Sequence, residues 1–318
     1  MVGYHASHEQ FKPSDLLRLV QMAESVGFDE VLSSDHFEPW SSNQAQSGFA
    51  WSWLGAAMQA TAIPFGVVTA PGYRYNPAII AQATATLLNC FPDRFWVSVG
   101  TGQALNESIT GQRWPDKESR KERLFQCAEV MRKLWLGETV THRGDVTVEN
   151  ANLHTLPPSP PLLIAAAISE DTARWAGQWA DGLITISQPR EKLKRVVDAF
   201  KSAGGENKPM YLKVQLSYAP DENEALSGAF EQWKYVIHDS SVTAELRTPE
   251  QFEAASMFIT PDQMHEHVRI SSSISRFVDW LNVDLEMGFN KLILHNVNRK
   301  QERFIEAFGT SVLHQLAT

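Results

Sequence analysis

The stretch FGVVTAPGYRYNPAIIAQATATLLNCFPDRFWVSV, residues 65–99, decides the fold. It begins with a run of apolar and β-branched residues, which predicts a strand at Phe65–Ala70. Pro77 then opens an apolar segment typical of a helix that ends near Phe91, because proline is favoured in the first helical turn. A second β-type run predicts a strand at Arg94–Val99. Strand, helix and strand in this order are typical of a parallel sheet with crossover helices.

The same alternation continues toward both ends of the chain and gives eight strand and helix pairs. Eight such units favour a closed (β/α)8 TIM barrel of the α/β class over the alternative, an open doubly wound sheet. The predicted strands are Val2–Ala6, Glu30–Ser34, Phe65–Ala70, Arg94–Val99, Leu162–Ala166, Gly182–Ile186, Met210–Ser217 and Lys291–Asn296. At 318 residues the chain exceeds the roughly 250 residues typical of such a barrel. We therefore expect residues 1–318 to form a single domain with insertions.

Two regions account for the extra length. Residues 138–156 alternate apolar and polar side chains around Gly144, which predicts a β-hairpin inserted before the fifth strand. Residues 220–273 are too many for a simple connection between a strand and its helix, and we expect two or three additional helices there.

Composition excludes several classes of partner. The formal net charge of −9 argues against nucleic acid and anionic membranes, which reward clustered Lys and Arg, so a small-molecule substrate is expected. Cys90 and Cys127 lie in predicted helices and suggest neither a disulfide framework nor a metal site. The start, MVGYHASHEQ, carries no basic and then apolar leader, and no run approaches about 18 apolar residues. A soluble cytoplasmic protein is expected.

In a barrel enzyme the active residues follow the carboxyl ends of the strands, and several polar side chains lie there. His36 can move a proton near neutral pH, and Asp35 beside it can orient the loop or bond a ligand ring. Trp40 can wall an apolar pocket, and Glu9 can act as an acid or base. On position alone, each residue also fits a structural role: a loop cap for Asp35, a satisfied polar group for His36, packing for Trp40 and a solvated helix cap for Glu9.

Gly100-Thr101-Gly102 directly after the fourth strand leaves little side-chain bulk, so a flat or phosphorylated ligand can approach the backbone closely. The segment lacks the third glycine of a dinucleotide-binding fingerprint, and its sequence predicts no helix immediately behind it. His265 and His267 stand two residues apart, which splays their rings on a helix and argues against a metal site. The chain also carries no GxSxG or Walker-type element.

At these residues the chain closely resembles the deazaflavin-dependent glucose-6-phosphate dehydrogenases of the luciferase-like monooxygenase superfamily. The resemblance runs from the first strand to the last. It is carried by GYHASHEQFKP at 3–13, SSDHFEPW at 33–40, YRYNPAIIAQA at 73–83, GTGQALNE at 100–107, WAGQWADGLIT at 175–185 and MGFNKLILHN at 287–296.

The resemblance implies a barrel that holds a flavin, or the deazaflavin coenzyme F420, in its mouth. It implies that Asp35 bonds the ring system, that His36 handles the substrate proton and that Trp40 shields the developing intermediate, while Glu9 matches another acidic active-site residue. Matched cofactor-contacting positions are Ala70, Pro71, Thr101, Gly102 and Asn106. The family also implies a non-prolyl cis peptide in strand three, here between Val67 and Val68, at a cost of about 3 to 4 kcal/mol.

The chain departs from the resembled family at three places. Gln103 stands where the family has a catalytic glutamate, and an amide cannot accept a proton as a carboxylate does, so acid and base duty falls to His36 or Glu9. Ala167-Ile168 replaces paired glycines, so the cofactor's tail is expected to be held differently. The cations that bind the sugar phosphate are replaced, one of them near Glu266, which makes glucose 6-phosphate an unexpected substrate.

These observations predict an oxidoreductase that transfers a hydride between a small organic substrate and a flavin-type ring, with F420 favoured as the cofactor. One alternative is an FMN-dependent monooxygenase or reductase on the same barrel. Another is a redox-inactive flavin-binding barrel, which is consistent with Gln103. The resemblance further suggests a homodimer.

Overall fold

The computed structural model describes residues 1–316 and contains a closed barrel. The strands are β1 Val2–Ala6, β2 Glu30–Ser34, β3 Phe65–Thr69, β4 Phe95–Val99, β5 Val140–Arg143, β6 Thr147–Ala151, β7 Leu163–Ala166, β8 Gly182–Ile186, β9 Met210–Tyr218, β10 Arg269–Ser271 and β11 Lys291–Asn296. Parallel pairing runs in the order β9, β11, β1, β2, β3, β4, β7 and β8, and β8 pairs back with β9. The ring is therefore complete, which confirms the (β/α)8 barrel over the open sheet.

The helices surround this ring, and their first residues follow local rules. The helices are α1 Pro13–Ser25, α2 Ala50–Ala60, α3 Pro77–Cys90, α4 Ala104–Glu107, α5 Lys117–Trp135, α6 Glu170–Gly177, α7 Arg190–Phe200, α8 Glu222–Trp233, α9 Ser240–Thr243, α10 Pro249–Ala255, α11 Ile274–Glu286 and α12 Gln301–Ser311. Short 3-10 segments occur at Ser108–Thr110, Lys234–Val236, Pro261–Glu266 and Leu313–Gln315, and a π-helical segment at Lys201–Gly205. Helix α3 illustrates the rules: the Asn76 side chain accepts a hydrogen bond from the amide of Ala78 at 3.0 Å, and Pro77 occupies the first turn.

The two regions of extra length differ in structure. Strands β5 and β6 pair antiparallel within residues 138–156. Residues 220–273 contain α8, α9 and α10, together with β10, which pairs parallel with the end of β9 through Arg269 and Leu216. That strand was not expected, because three residues are too few to show a strand pattern. The region packs its own apolar cluster, including Trp233, Phe252 and Met264, above the barrel.

The lower end of the barrel is closed by side chains. The buried Glu30 carboxylate accepts hydrogen bonds from Lys291 Nζ at 2.6 Å and from Trp96 Nε1 at 3.1 Å. A Cβ atom on Gly66 would lie 2.2 Å from the Trp96 indole, so only glycine admits this ring. A layer of Leu32, Ile164, Ile184 and Ile293 lies inside the barrel. Space for a ligand is therefore left at the opposite end, where the strands terminate.

Among residues 1–316, none of the helices is both long and apolar enough to cross a membrane.

Candidate active site

A cavity of about 620 Å³ opens at the carboxyl ends of the barrel strands. Its size falls in the range of small-molecule and cofactor sites, roughly 300–1,000 Å³. The site residues expected from the sequence that line it are Glu9, Asp35, His36, Trp40, Val68, Ala70, Thr101, Gly102, Gln103, Asn106, Ala167 and Ile168. The carboxylate and imidazole loop therefore faces the same cavity as the glycine pair.

Two residues expected to contact a cofactor do not line this cavity. Val67 is buried in the core between the strands and the outer helices, whereas its neighbour Val68 lines the cavity. Successive side chains of a strand point to opposite faces, so only one of the pair can reach a ligand inside the barrel. Pro71 lies just beyond β3, where it forms a bridge with Tyr75.

The cis peptide expected between Val67 and Val68 is also absent, since the chain has no cis peptide bond anywhere in residues 1–316. Strand β3 instead pairs in regular parallel register with both neighbours. Val67 pairs with Ser33 and Val97, and Val68 with Ser34 and Ser98. A trans backbone satisfies this ladder without the cost of the cis form.

His36 and Glu9 form a close pair at the cavity wall. His36 Nδ1 lies 2.5 Å from Glu9 Oε1, and the Glu9 side chain is only 4% exposed against 25% for His36. Glu9 Oε2 accepts hydrogen bonds from the hydroxyls of Ser7 at 2.7 Å and Ser34 at 3.0 Å. Burial favours a higher pKa for Glu9, but the facing His36 imidazole and the Ser7 hydroxyl outweigh this effect and hold the pKa well below 4.5. Glu9 is therefore a fixed carboxylate against which the His36 ring is oriented.

Trp40 packs edge-on against the His36 ring, with ring centroids 5.1 Å apart. On its other side Trp40 contacts Phe252 of α10, at 5.3 Å between centroids. The indole therefore links the loop after β2 to the region above the barrel. It forms an apolar wall beside the imidazole, which limits the access of water to that side.

Asp35 is engaged by the protein itself. Its Oδ2 accepts hydrogen bonds from Thr69 Oγ1 at 2.6 Å and Trp51 Nε1 at 3.3 Å, and its Oδ1 accepts one from Tyr75 Oη at 3.0 Å. The side chain is 1% exposed. Because donors from β3, α2 and the loop before α3 converge on one carboxylate, Asp35 fixes the loop that carries His36.

Arg74 ties this loop to helix α4. Its Nη2 donates to the backbone oxygen of Asp35 at 2.7 Å, and its Nε donates to Glu107 Oε1 at 3.1 Å. Burial raises the pKa of Glu107, and the Arg74 charge opposes that shift. Sequence reasoning missed this network, because the three partners are far apart in the chain.

The turn after β4 presents a low wall to the cavity. Gly102 has φ +79°, and a Cβ atom there would lie 3.0 Å from Glu107 Cγ and 3.4 Å from Ala70 Cβ. Asn106 does not present its carbonyl to the cavity: Oδ1 accepts hydrogen bonds from the amides of Phe37 and Glu38 at 2.7 and 3.1 Å. The backbone oxygen of Gln103 accepts from the amides of Asn106 and Glu107, which starts α4.

The floor of the cavity carries three basic side chains, His5, Lys213 and His295. The His5 and His295 rings lie 4.3 Å apart, and burial, together with the nearby Lys213 charge, holds the pKa of both well below 6.5. Burial also lowers the pKa of Lys213 to about 8, against an opposing effect of the Glu9 carboxylate. Lys213 was missed in the sequence, although a lysine inside an apolar strand of a parallel barrel is an available signal.

Comparison with known proteins decides the family. The family model described as luciferase-like monooxygenase matches residues 2–279. The chain belongs to this luciferase-like family. The resemblance found in the sequence motifs is thereby confirmed.

Relatives of this luciferase-like protein span almost its whole length. An F420-dependent glucose-6-phosphate dehydrogenase of Segniliparus rotundus is 35% identical, over 99% of this chain and 97% of that protein. One from Microbacterium testaceum is 34% identical, over 99% and 96%. Among solved structures, an F420-dependent secondary alcohol dehydrogenase in complex with an F420-acetone adduct superposes with a TM-score of 0.92 at 29% identity, covering 100% of this chain and 99% of that one.

Proposed function

We propose that this luciferase-like protein is an oxidoreductase that transfers a hydride between a small organic substrate and coenzyme F420. One observation carries the proposal: the His36 and Glu9 pair, the Trp40 wall and the Gly102 turn all face one cavity. The F420-dependent relatives and the F420-dependent alcohol dehydrogenase support the choice of cofactor. Bound F420 would supply the two-electron hydride donor or acceptor.

The cavity wall fits a planar ring system. Ala70, Gly100, Gly102, Ala166 and Ala167 line it from the ends of β3, β4 and β7. Side chains this small leave a flat surface on which a tricyclic ring can lie close to the backbone. At the nearby position of the family's paired glycines, Ile168 is 37% exposed and would contact the outer part of the cofactor.

His36 would take the substrate proton during oxidation and return it during reduction. Its Nδ1 faces the Glu9 carboxylate, which leaves Nε2 for the substrate oxygen and stabilises the imidazolium once it has formed. Trp40 would shield that side of the substrate from water. Asp35 would act through the loop, because its oxygens already accept bonds from Thr69 and Tyr75. The Gln103 amide lines the cavity and would hydrogen-bond the substrate without exchanging a proton with it.

Phosphosugars would be poor substrates. Near the place where the resembled family carries a phosphate-binding lysine, this chain has Glu266, which lines the cavity. A carboxylate there repels a phosphate dianion. The expected substrate is therefore a smaller alcohol or carbonyl compound.

The test is a titration of the purified protein with F420 and with FMN, followed by anaerobic turnover assays across alcohols, aldehydes, ketones and enones. We expect F420 to bind at least tenfold more tightly than FMN and to be reduced or reoxidised with at least one compound. Exclusive FMN binding would instead establish the alternative flavin enzyme on the same barrel. Binding of F420 without turnover of any compound would favour a redox-inactive barrel.

We also propose that residues 1–318 act as one domain in a cytoplasmic homodimer. Light scattering should then give twice the chain mass of 35.7 kDa. A monomeric mass would contradict the dimer.

A further inference from the structure

The buried charged groups of the inner cavity wall are ion-paired, whereas Lys213 on the cavity floor is not. Glu9 faces His36, and Arg74 lies between Asp35 and Glu107. Lys213, by contrast, has no carboxylate within ion-pairing distance in residues 1–316. Its ammonium lies over the Trp233 ring, 5.8 Å from the ring centroid.

An unpaired ammonium in this position is costly to the fold. Removing a charge from water costs several kcal/mol unless a counter-ion or several hydrogen bonds replace the solvent. Lys213 belongs to β9, where it is half-buried between the wholly buried side chains of Leu212 and Val214. An apolar side chain would fill the position at lower cost. A residue whose charge is unfavourable for folding but faces a cavity is a candidate for ligand binding.

The groups around Lys213 complete an anion site. Neither ring nitrogen of His5 has a hydrogen-bond partner. His295 differs, because its Nε2 lies 3.2 Å from the amide oxygen of Gln10, an acceptor that takes the one N–H of a neutral ring and leaves Nδ1 without a proton. Both rings are neutral at physiological pH, so neither adds a second positive charge, and the one N–H of His5 is available to a ligand. One cation with one neutral donor matches a carboxylate, which has a single negative charge and two oxygens. A phosphate dianion would need more cations.

We propose that Lys213 binds a carboxylate of the substrate, with His5 donating a hydrogen bond to it. The substrate class is then a small monoanionic acid that also carries the alcohol or carbonyl group to be oxidised or reduced. This inference rests on the proposed function for the redox step, but the carboxylate site itself does not depend on F420.

The test compares each acid with its neutral amide. Lactate and lactamide, and benzoate and benzamide, are titrated calorimetrically into the full chain at pH 7, with and without saturating F420. We expect at least one acid to bind tenfold or more tightly than its amide, which is about 1.4 kcal/mol. The preference should fall as the pH rises from 7 to 9, because burial lowers the pKa of Lys213 to about 8.

Three variants locate the site. Lys213→Met should bring the affinities for the acid and its amide to within twofold of each other. Lys213→Arg keeps the charge and should retain most of the preference for the acid. Lys192→Met is the matched control, because Lys192 is an exposed cation of the same cavity. The Lys192→Met variant should prefer the acid over its amide to the same extent as the wild type.

Each contrary result overturns the proposal. If neither acid binds the wild-type protein more tightly than its amide, there is no carboxylate site. If Lys192→Met loses the preference and Lys213→Met keeps it, the anion binds elsewhere. If Lys213→Met abolishes turnover but keeps the preference, Lys213 exchanges protons instead. F420 affinity is measured in the same samples by fluorescence quenching, so a failure of the proposed function is seen separately.

Discussion

Replacing Glu9 with glutamine removes the charge that orients and stabilises the His36 imidazolium while keeping the shape of the side chain. The two groups lie 2.5 Å apart, and the Glu9 side chain is 4% exposed, so solvent screens the contact little. A hydrogen bond to a charged group contributes about 1.5–3 kcal/mol. Since 1.36 kcal/mol corresponds to a tenfold change in rate, kcat should fall about 10- to 150-fold.

The assay is steady-state F420 reduction, with F420 affinity measured in parallel by fluorescence. The affinity for F420 should change less than threefold, because Glu9 acts on the proton that His36 exchanges and not on the F420 ring. Glu38→Gln is the matched control. Glu38 belongs to the same loop as His36, two residues further on, but its carboxylate does not line the cavity. Its kcat should stay within twofold of the wild type. A Glu9→Gln enzyme with unchanged kcat would refute the reasoning.

Glu9→Gln also has a pH signature in stability. The pKa of Glu9 is held below 4.5 in the folded chain, so its contribution is present above that pH and is lost as the pH falls through the lowered value. The wild-type and variant unfolding free energies should therefore converge in acid. A difference in unfolding free energy that stays constant down to the lowest pH at which both proteins are folded would argue against an ionised Glu9.

Three further predictions concern other parts of the barrel. Glu30→Gln leaves the Lys291 ammonium without its counter-ion and should lower the unfolding free energy by about 3–5 kcal/mol, and an unchanged denaturant midpoint would contradict this. Gly102→Ala and Gly111→Ala both place a side chain at positive φ, and each should lower the unfolding free energy by about 1–2 kcal/mol. Only Gly102→Ala should also weaken F420 binding. Gly111→Ala is the control, because nothing lies within 4 Å of a Cβ atom at that position. Lys213→Met should stabilise the protein by about 1–3 kcal/mol at pH 7, because each unit by which the pKa of Lys213 is lowered is worth about 1.4 kcal/mol and the half-buried side chain keeps part of its hydration. The lysine binds its proton less readily when folded, so this gain should shrink as the pH rises from about 8 to 10.5. A destabilised variant at pH 7 would contradict an unfavourable charge at this position.

Much of the barrel was predictable from local pattern. The bounds of β1, β2, β8 and β11 agree with the sequence prediction, because buried strands between turn residues leave a clear local signal. The side chains that follow the strands meet in one cavity for a topological reason, since parallel strands all end on the same face.

The pairing of side chains within the cavity was not predictable. The contact between Glu9 and His36 depends on loop geometry and rotamers that no spacing encodes. The hydrogen-bond donors that converge on the Asp35 carboxylate, among them Thr69 and Tyr75, were not predictable either. Strand alternation carries the signal that separates Val67 from Val68 and places Lys213 in the barrel with Tyr211, although the sequence prediction missed both points.

The central claim is that His36 exchanges the substrate proton beside a bound F420. The most direct measurement is the single-turnover rate of F420 reduction by the best compound of the panel, in the wild type, His36→Ala and the control His154→Ala, whose histidine is exposed and lies outside this cavity. We predict a rate at least 100-fold lower for His36→Ala, with F420 affinity within threefold, and no change for His154→Ala. An undiminished rate in His36→Ala would contradict the account.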